Sequence, residues 1–259
     1  MNYTWNWGIF WEPVAAGEGF YWQWLLSGLG WTVATALLAW IIALAFGILI
    51  GTVCTLRTLH TLPPPFRWLA NAGNAYVEVF RNIPLLVQMF LWFFVLPELV
   101  PESMGRWLKQ DLPYPEFITA VVCLGLFTSA RVAEQVKAGI DSLPAGQKNA
   151  ALALGLTLPQ AYRHVLLPMA LRIIIPPLTS EFMNIFKNSS VALTIGLLEL
   201  TAQARQMNEY TFQGFETFTA ATLLYIIVAM LVNRGMAYLE RRQQIPGYIA
   251  ENGAGAGAR

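Results

Sequence analysis

Residues 26–52 contain no Asp, Glu, Lys or Arg. An apolar helix of about 20 residues, rising 1.5 Å per residue, crosses a hydrocarbon core of about 30 Å. A run of this length therefore constrains the fold more than any other feature of the chain. Four further apolar runs follow at 75–96, 117–138, 168–200 and 215–238. Only 12% of the 259 residues are charged and 56% are hydrophobic, whereas a soluble domain carries about 25% charged residues. The expected fold class is an all-α integral membrane protein with five transmembrane helices. The fourth run is too long for one plain span and carries Pro176, Pro177, Lys187 and Asn188. A kinked or re-entrant element is expected there, because neighbouring helices can resatisfy freed backbone groups.

No internal repeat is visible, and residues 26–240 read as one membrane domain. Residues 1–25 hold Trp5, Trp7, Trp11, Tyr21, Trp22 and Trp24, and the first 24 residues contain no Lys or Arg. That pattern lacks the basic region of a secretory signal and suits an external segment at the membrane interface, where amphipathic rings settle. Residues 241–259, glycine-rich towards the end, read as a disordered cytosolic tail.

Lys and Arg set the expected direction. Arg57, Arg67, Lys137, Lys148, Arg163, Arg241 and Arg242 fall on one side, and Arg106, Lys109 and Arg205 on the other. The positive-inside rule then gives an external N-terminus and a cytosolic C-terminus. The net charge of +1, with no basic face, argues against nucleic acid as a partner. Cys54 and Cys123 lie in apolar runs without metal-ligand or disulfide spacing, and His60 and His164 lie in connections without a catalytic or zinc constellation. No metal or bound cofactor is expected.

The connection 139–168 stands apart. Ala150, Ala151, Ala153, Leu154 and Leu158 favour helix, bounded by Pro159 and Pro168. Gly155 leaves room for close approach of a partner. By composition alone, a helix resting on the bilayer is an equal reading. The spacing Asn149-Ala150-Ala151, three residues, Gly155, nine residues, Val165-Leu166-Leu167-Pro168 resembles the coupling loop of ATP-binding-cassette importer permeases. That family's pattern begins Glu-Ala-Ala and ends Ile-x-Leu-Pro. Asn149 lacks the family's carboxylate, so no salt bridge from that position is carried over. The run from Tyr76 to Gln88, with Glu78, Phe80, Arg81, Asn82 and Pro84, resembles the second-span signature of polar amino-acid permeases. Ala133-Glu134, Gly139-Ile140, Gly146-Gln147, Lys187-Asn188-Ser189-Ser190 and Glu199-Leu200 continue the resemblance in order. Trp5-Asn6-Trp7-Gly8-Ile9-Phe10 resembles the start of bacterial glutamate/aspartate permeases.

The resemblance implies a type I importer permease fold in the bacterial inner membrane, with Asn149, Ala150, Ala151, Gly155, Leu158 and Pro159 coupling to an ATPase dimer. It also implies a second, related permease subunit and an external amino-acid-binding protein. ATP and Mg would reside on the partner ATPase, since this chain has no G-x-x-x-x-G-K-[ST] phosphate loop and no catalytic set of its own. Membrane lipid is the remaining partner.

Charges inside spans are costly and usually face protein or water. Candidate substrate-binding residues are therefore Glu78, Arg81 and Gln88 in the second run, Arg131 and Glu134 in the third, and Lys187, Asn188 and Ser189 in the fourth. Glu78 and Arg81, like Arg131 and Glu134, are three apart and could equally form local pairs on one helical face. The polar break in the fourth run could equally be a hinge. Relatives often carry tyrosine where Arg131 stands. A guanidinium can hold a carboxylate through two charge-assisted hydrogen bonds, so Arg131 is the expected contact for an acidic amino acid. A permease for neutral or basic amino acids, a secondary transporter without ATPase, and a membrane enzyme are the competing classes.

Overall fold

The computed structural model describes residues 3–15, 18–56 and 64–243. Arg57, His60 and most of the expected tail lie outside the described residues. Among the described residues, four helices are long and apolar enough to cross a membrane, and a bent pair brings the number to five when it is counted as one span.

Helix α1 (Tyr21–Thr55) sorts its side chains by size rather than polarity. Ala36, Ala39, Ala43, Gly47 and Gly51 are buried, while Leu37, Ile41, Phe46 and Leu49 are exposed. Lipid is as apolar as leucine, so helices associate through close packing of small residues instead of through exclusion of water. Helix α2 (Pro64–Asn82) and helix α3 (Leu85–Leu99) meet at 105°. The run 75–96, expected as one membrane helix, is thus two helices, with most of its polar residues before the bend. The physical cause is Pro84, which has no N–H for the carbonyl of Phe80. The side-chain amide of Gln88 replaces it, donating to Phe80 O at 2.8 Å and to Ile83 O at 2.9 Å.

Helix α4 (Glu102–Arg106, continued by a π turn over Trp107–Asp111) connects to helix α5 (Pro115–Asp141). The central helix α5 buries Cys123, Leu124, Ala130, Val132 and Val136 almost completely. It packs tightly on α1: a Cβ at Gly51 would lie 2.5 Å from Ala133 O and 2.8 Å from Val136 Cβ, and one at Gly47 only 2.6 Å from Val132.

Helix α6 (Ala145–Ala153) is short and precedes helix α7 (Leu158–Ile195). The fourth span therefore begins ten residues earlier than its apolar run suggests. Pro168 cannot donate to the carbonyl of His164, and a π turn over Tyr162–Leu166 lies where that bond is lost. Pro176 and Pro177 remain inside a continuous helix, Leu167–Asn188. The polar break is not a re-entrant loop: the helix tightens into a 3₁₀ segment, Ser189–Ile195, and ends at Gly196 with φ 96°.

Helix α8 (Leu200–Thr211) and helix α9 (Gly214–Gln243) hold the last of the described residues. Glu199 is fully buried and caps α8, accepting from the amides of Thr201 at 2.9 Å and Ala202 at 2.8 Å and from the Tyr225 hydroxyl at 2.9 Å. The positive end of the helix dipole favours that carboxylate. Thr32 donates to Glu199 at 3.5 Å and accepts from Leu200 N at 3.1 Å, which ties α1 to the same cap. The N-terminal segment is held against α9: Tyr3 donates to Glu216, and the amide of Asn6 donates to the same carboxylate at 2.8 Å.

Candidate functional site

Five helical residues enclose a polar hollow of ≈ 320 Å³ between α2, α5 and α7: Arg81 from the amphipathic α2, Arg131, Glu134 and Gln135 from α5, and Glu181 from α7. The ion pairs within it run between helices. Arg81 of α2 pairs with Glu134 of α5, and Arg131 of α5 faces Glu181 of α7 at 3.8 Å. Neither local pairing considered from the sequence, Glu78–Arg81 or Arg131–Glu134, forms. A charge is less costly at this depth when an opposite charge on the neighbouring helix faces it.

Arg131 is held only loosely. Its guanidinium carbon lies 5.1 Å from the centre of the Phe127 ring, a cation–π contact. Its Nε is buried without a hydrogen-bond partner, as is Oε1 of Gln135. Gln135 Nε2 donates to Glu181 at 3.5 Å. At 3.8 Å the Arg131–Glu181 pair is longer than a charge-assisted hydrogen bond, normally about 2.7–2.9 Å. The hollow therefore holds two cations, two carboxylates and unsatisfied donor and acceptor atoms, which is chemistry suited to a small zwitterion.

Three expected site residues, Arg81, Arg131 and Glu134, meet here; the other five do not. Glu78 is exposed on α2 and does not line the hollow. Gln88 is buried, with its Nε2 donating across the α2–α3 bend and its Oε1 without a partner. Lys187 lines a separate apolar cleft of ≈ 230 Å³ between α7 and α9. Ser189 bonds back to Phe186 O at 2.7 Å, and Asn188 ends the regular helix. Glu181 and Gln135 were not expected. Glu181 carried a readable signal, because it is an isolated acidic residue deep within the fourth apolar run.

The second candidate region is α6 with the turn that follows it. Asn149, Ala150 and Gly155 are exposed, whereas Ala151 is buried. Leu154 is 84% exposed at the tip, an apolar side chain presented outward from a connection. Gly155 has φ 85°, and its amide donates to Leu152 O while that of Leu156 donates to Ala151 O. Its part is thus to end α6 in a left-handed turn, and a Cβ there would meet nothing. Leu158 and Pro159 belong to the first turn of α7, which Thr157 caps together with Gln160. The helix expected from Asn149 to Leu158 is therefore split, because a left-handed residue cannot continue it. Below the turn, the Tyr162 hydroxyl lies 2.9 Å from the Thr55 hydroxyl, linking the base of α7 to the end of α1.

Residues 47–245 match the sequence profile of the binding-protein-dependent transport system inner membrane components. The chain is 49% identical over 249 residues to the glutamate/aspartate import permease protein GltJ of Escherichia coli (strain K12), covering 95% of this chain and 98% of that one. It is 32% identical over 219 residues to the glutamate/aspartate import permease protein GltK of Escherichia coli O157:H7, covering 84% and 92%. Among solved structures, an amino acid ABC transporter crystallised with histidines superposes with a TM-score of 0.65 at 29% identity, over 86% of this chain and 95% of that chain.

Proposed function

The chain belongs to the binding-protein-dependent transport system inner membrane components, and from that premise we propose that it is the permease subunit which carries glutamate or aspartate inward in an ATP-driven importer. It is a multi-pass inner-membrane protein and a transporter subunit rather than an enzyme. In this reading the N-terminal segment faces outward and α6 faces the cytosol. An external binding protein delivers the amino acid, and a second, related permease completes the pathway.

The observation that carries the substrate assignment is Arg131. Its loose partner at 3.8 Å and its half-exposed side chain leave its terminal nitrogens able to take a substrate carboxylate through two parallel bonds. Glu134 is already neutralised by Arg81, so Arg131 is the better placed of the hollow's two arginines for a new anion. The exposed tip of α6 is the surface for an ATPase subunit that supplies ATP and Mg chemistry. Nucleotide-driven closure there would move the base of α7, and the Tyr162–Thr55 bond would carry the motion to α1. Transport then requires that nucleotide and amino acid prefer different states of the permease.

The test is uptake of labelled glutamate, aspartate, glutamine and arginine by cells with and without the chain, followed by Arg131→Tyr. A hydrogen bond to a charged group is worth about 1.5–3 kcal/mol. The variant is therefore expected to raise KM for acidic amino acids by roughly ten- to a hundredfold. Unchanged acidic uptake and selectivity would remove the carboxylate assignment. Loss of glutamine or arginine uptake in cells lacking the chain would retain the importer but replace its substrate.

A further inference from the structure

A furrow runs along the seam between α1 and the lower half of α7, away from the polar hollow. On α1 its wall is Trp40, Leu44, Ile48, Thr52 and Leu56, each four residues from the next and therefore on one helical face. Two apolar hollows lie along it, of ≈ 700 Å³ and ≈ 500 Å³, and they share Ile48, Pro168 and Leu171 as a common wall. Both volumes fall in the range of about 300–1,000 Å³ typical of small-molecule sites.

The polar groups of the wall are nearly all occupied. Thr52 donates to Ile48 O at 2.6 Å, and Tyr162 is engaged with Thr55. A polar solute would find almost nothing to bind. The exceptions are two arginines, Arg163 lining the first hollow and Arg172 the second. Both are exposed, and neither has an ion-pair partner among the described residues. The first hollow reaches the end of α1 at Leu56, and the second meets the last turns of α9 at Met236 and Leu239. Lys148, Arg241 and Arg242 belong to the side that the distribution of Lys and Arg in the sequence makes cytosolic.

We propose that this furrow is a binding site for one anionic phospholipid, its acyl chains lying against Ile48, Pro168 and Leu171 and its phosphate held by Arg163, which lines the hollow that reaches the end of α1. An apolar groove at bilayer depth takes hydrocarbon, and guanidinium groups take phosphate bidentately. Basic pockets between transmembrane helices on the cytoplasmic side are suited to anionic head groups. The assignment to the cytosolic leaflet rests on the orientation proposed above. A lipid held here would brace the base of α7 against α1 beside the Tyr162–Thr55 bond, directly after the α6 turn.

The experiment uses the assembled complex in nanodiscs of phosphatidylcholine containing a minor fraction of phosphatidylglycerol that bears a photoreactive acyl chain. Labelled peptides are located by mass spectrometry. Peptides holding Ile48 and Leu171 are expected to label at least about fivefold more than the lipid-facing Leu37 and Ile41, with unlabelled phosphatidylglycerol competing and phosphatidylcholine not. Replacing Arg163 by alanine should weaken that competition by about fivefold. Leu171→Trp, which fills the furrow and keeps both charges, should lower labelling in complexes that remain assembled. Equal labelling at Ile41 and Leu171, or competition indifferent to head-group charge, would overturn the proposal. So would photocrosslinking of a reactive amino acid at Leu171 to another protein chain rather than to lipid. Labelling of Lys148 by a membrane-impermeant amine reagent in vesicles of known sidedness reports orientation separately. A reversed orientation would thus be distinguished from an absent lipid site.

Discussion

Replacing Gln88 by leucine separates two accounts of that residue. Its sequence setting suggests a substrate contact; its position in the fold is a brace across the α2–α3 bend. In the folded chain one amide group serves two carbonyls, Phe80 O at 2.8 Å and Ile83 O at 2.9 Å, and the side chain is buried, 3% exposed. Leucine has nearly the same bulk, so packing changes little while both acceptors lose their donor. Each unsatisfied buried acceptor costs about 1–3 kcal/mol, and backbone relaxation at the bend returns part of it, leaving about 2–4 kcal/mol. For a chain of this size each kcal/mol shifts the melting temperature by about 2–4 °C, so Gln88→Leu should melt roughly 4–16 °C lower. The assay is intrinsic fluorescence of the purified complex on heating, with Gln88→Asn as a second variant whose amide is too short to span both carbonyls. Uptake kinetics on the same variants give the contrasting readout. A wild-type melting curve together with a raised KM would refute the brace and restore the substrate contact.

Two further outcomes follow from the backbone. Gly155→Val should disrupt coupling more than Gly155→Asn, because φ 85° costs a β-branched residue about 1–2 kcal/mol or more while asparagine tolerates the left-handed region; the check is the ratio of ATP hydrolysed to amino acid carried, and equal loss in both variants would point to a direct contact instead. Gly51→Ala should destabilise the α1–α5 seam by about 1–3 kcal/mol, since its Cβ would sit 2.5 Å from Ala133 O, whereas Gly30→Ala, with nothing within 4 Å, should melt like the parent; parity between the two would mean that the helices can separate without cost.

Which segments are long and apolar enough to cross was written in the sequence, because length and the near absence of charge determine whether a helix can stay in hydrocarbon. So was the segment that turns away from the membrane: alanines, a glycine and flanking prolines cannot make another span. Arg131 was also legible, as a charge inside an apolar run has few permitted surroundings. The partners of that charge were not. Helical spacing suggested Glu134, but Glu134 is taken by Arg81 from α2 and Arg131 faces Glu181 from α7. Such pairings depend on how helices cross, which is set by close contacts such as Gly47 and Gly51 against Val132 and Ala133. The hydrogen bonds of Gln88 were hidden for a related reason. A missing N–H at Pro84 is visible in the sequence, but whether the chain bends, unwinds or finds a side-chain donor is decided only by what packs around it. Local sequence determined which segments are helical and apolar; the tertiary structure decided which polar atoms meet, because those distances belong to no single helix.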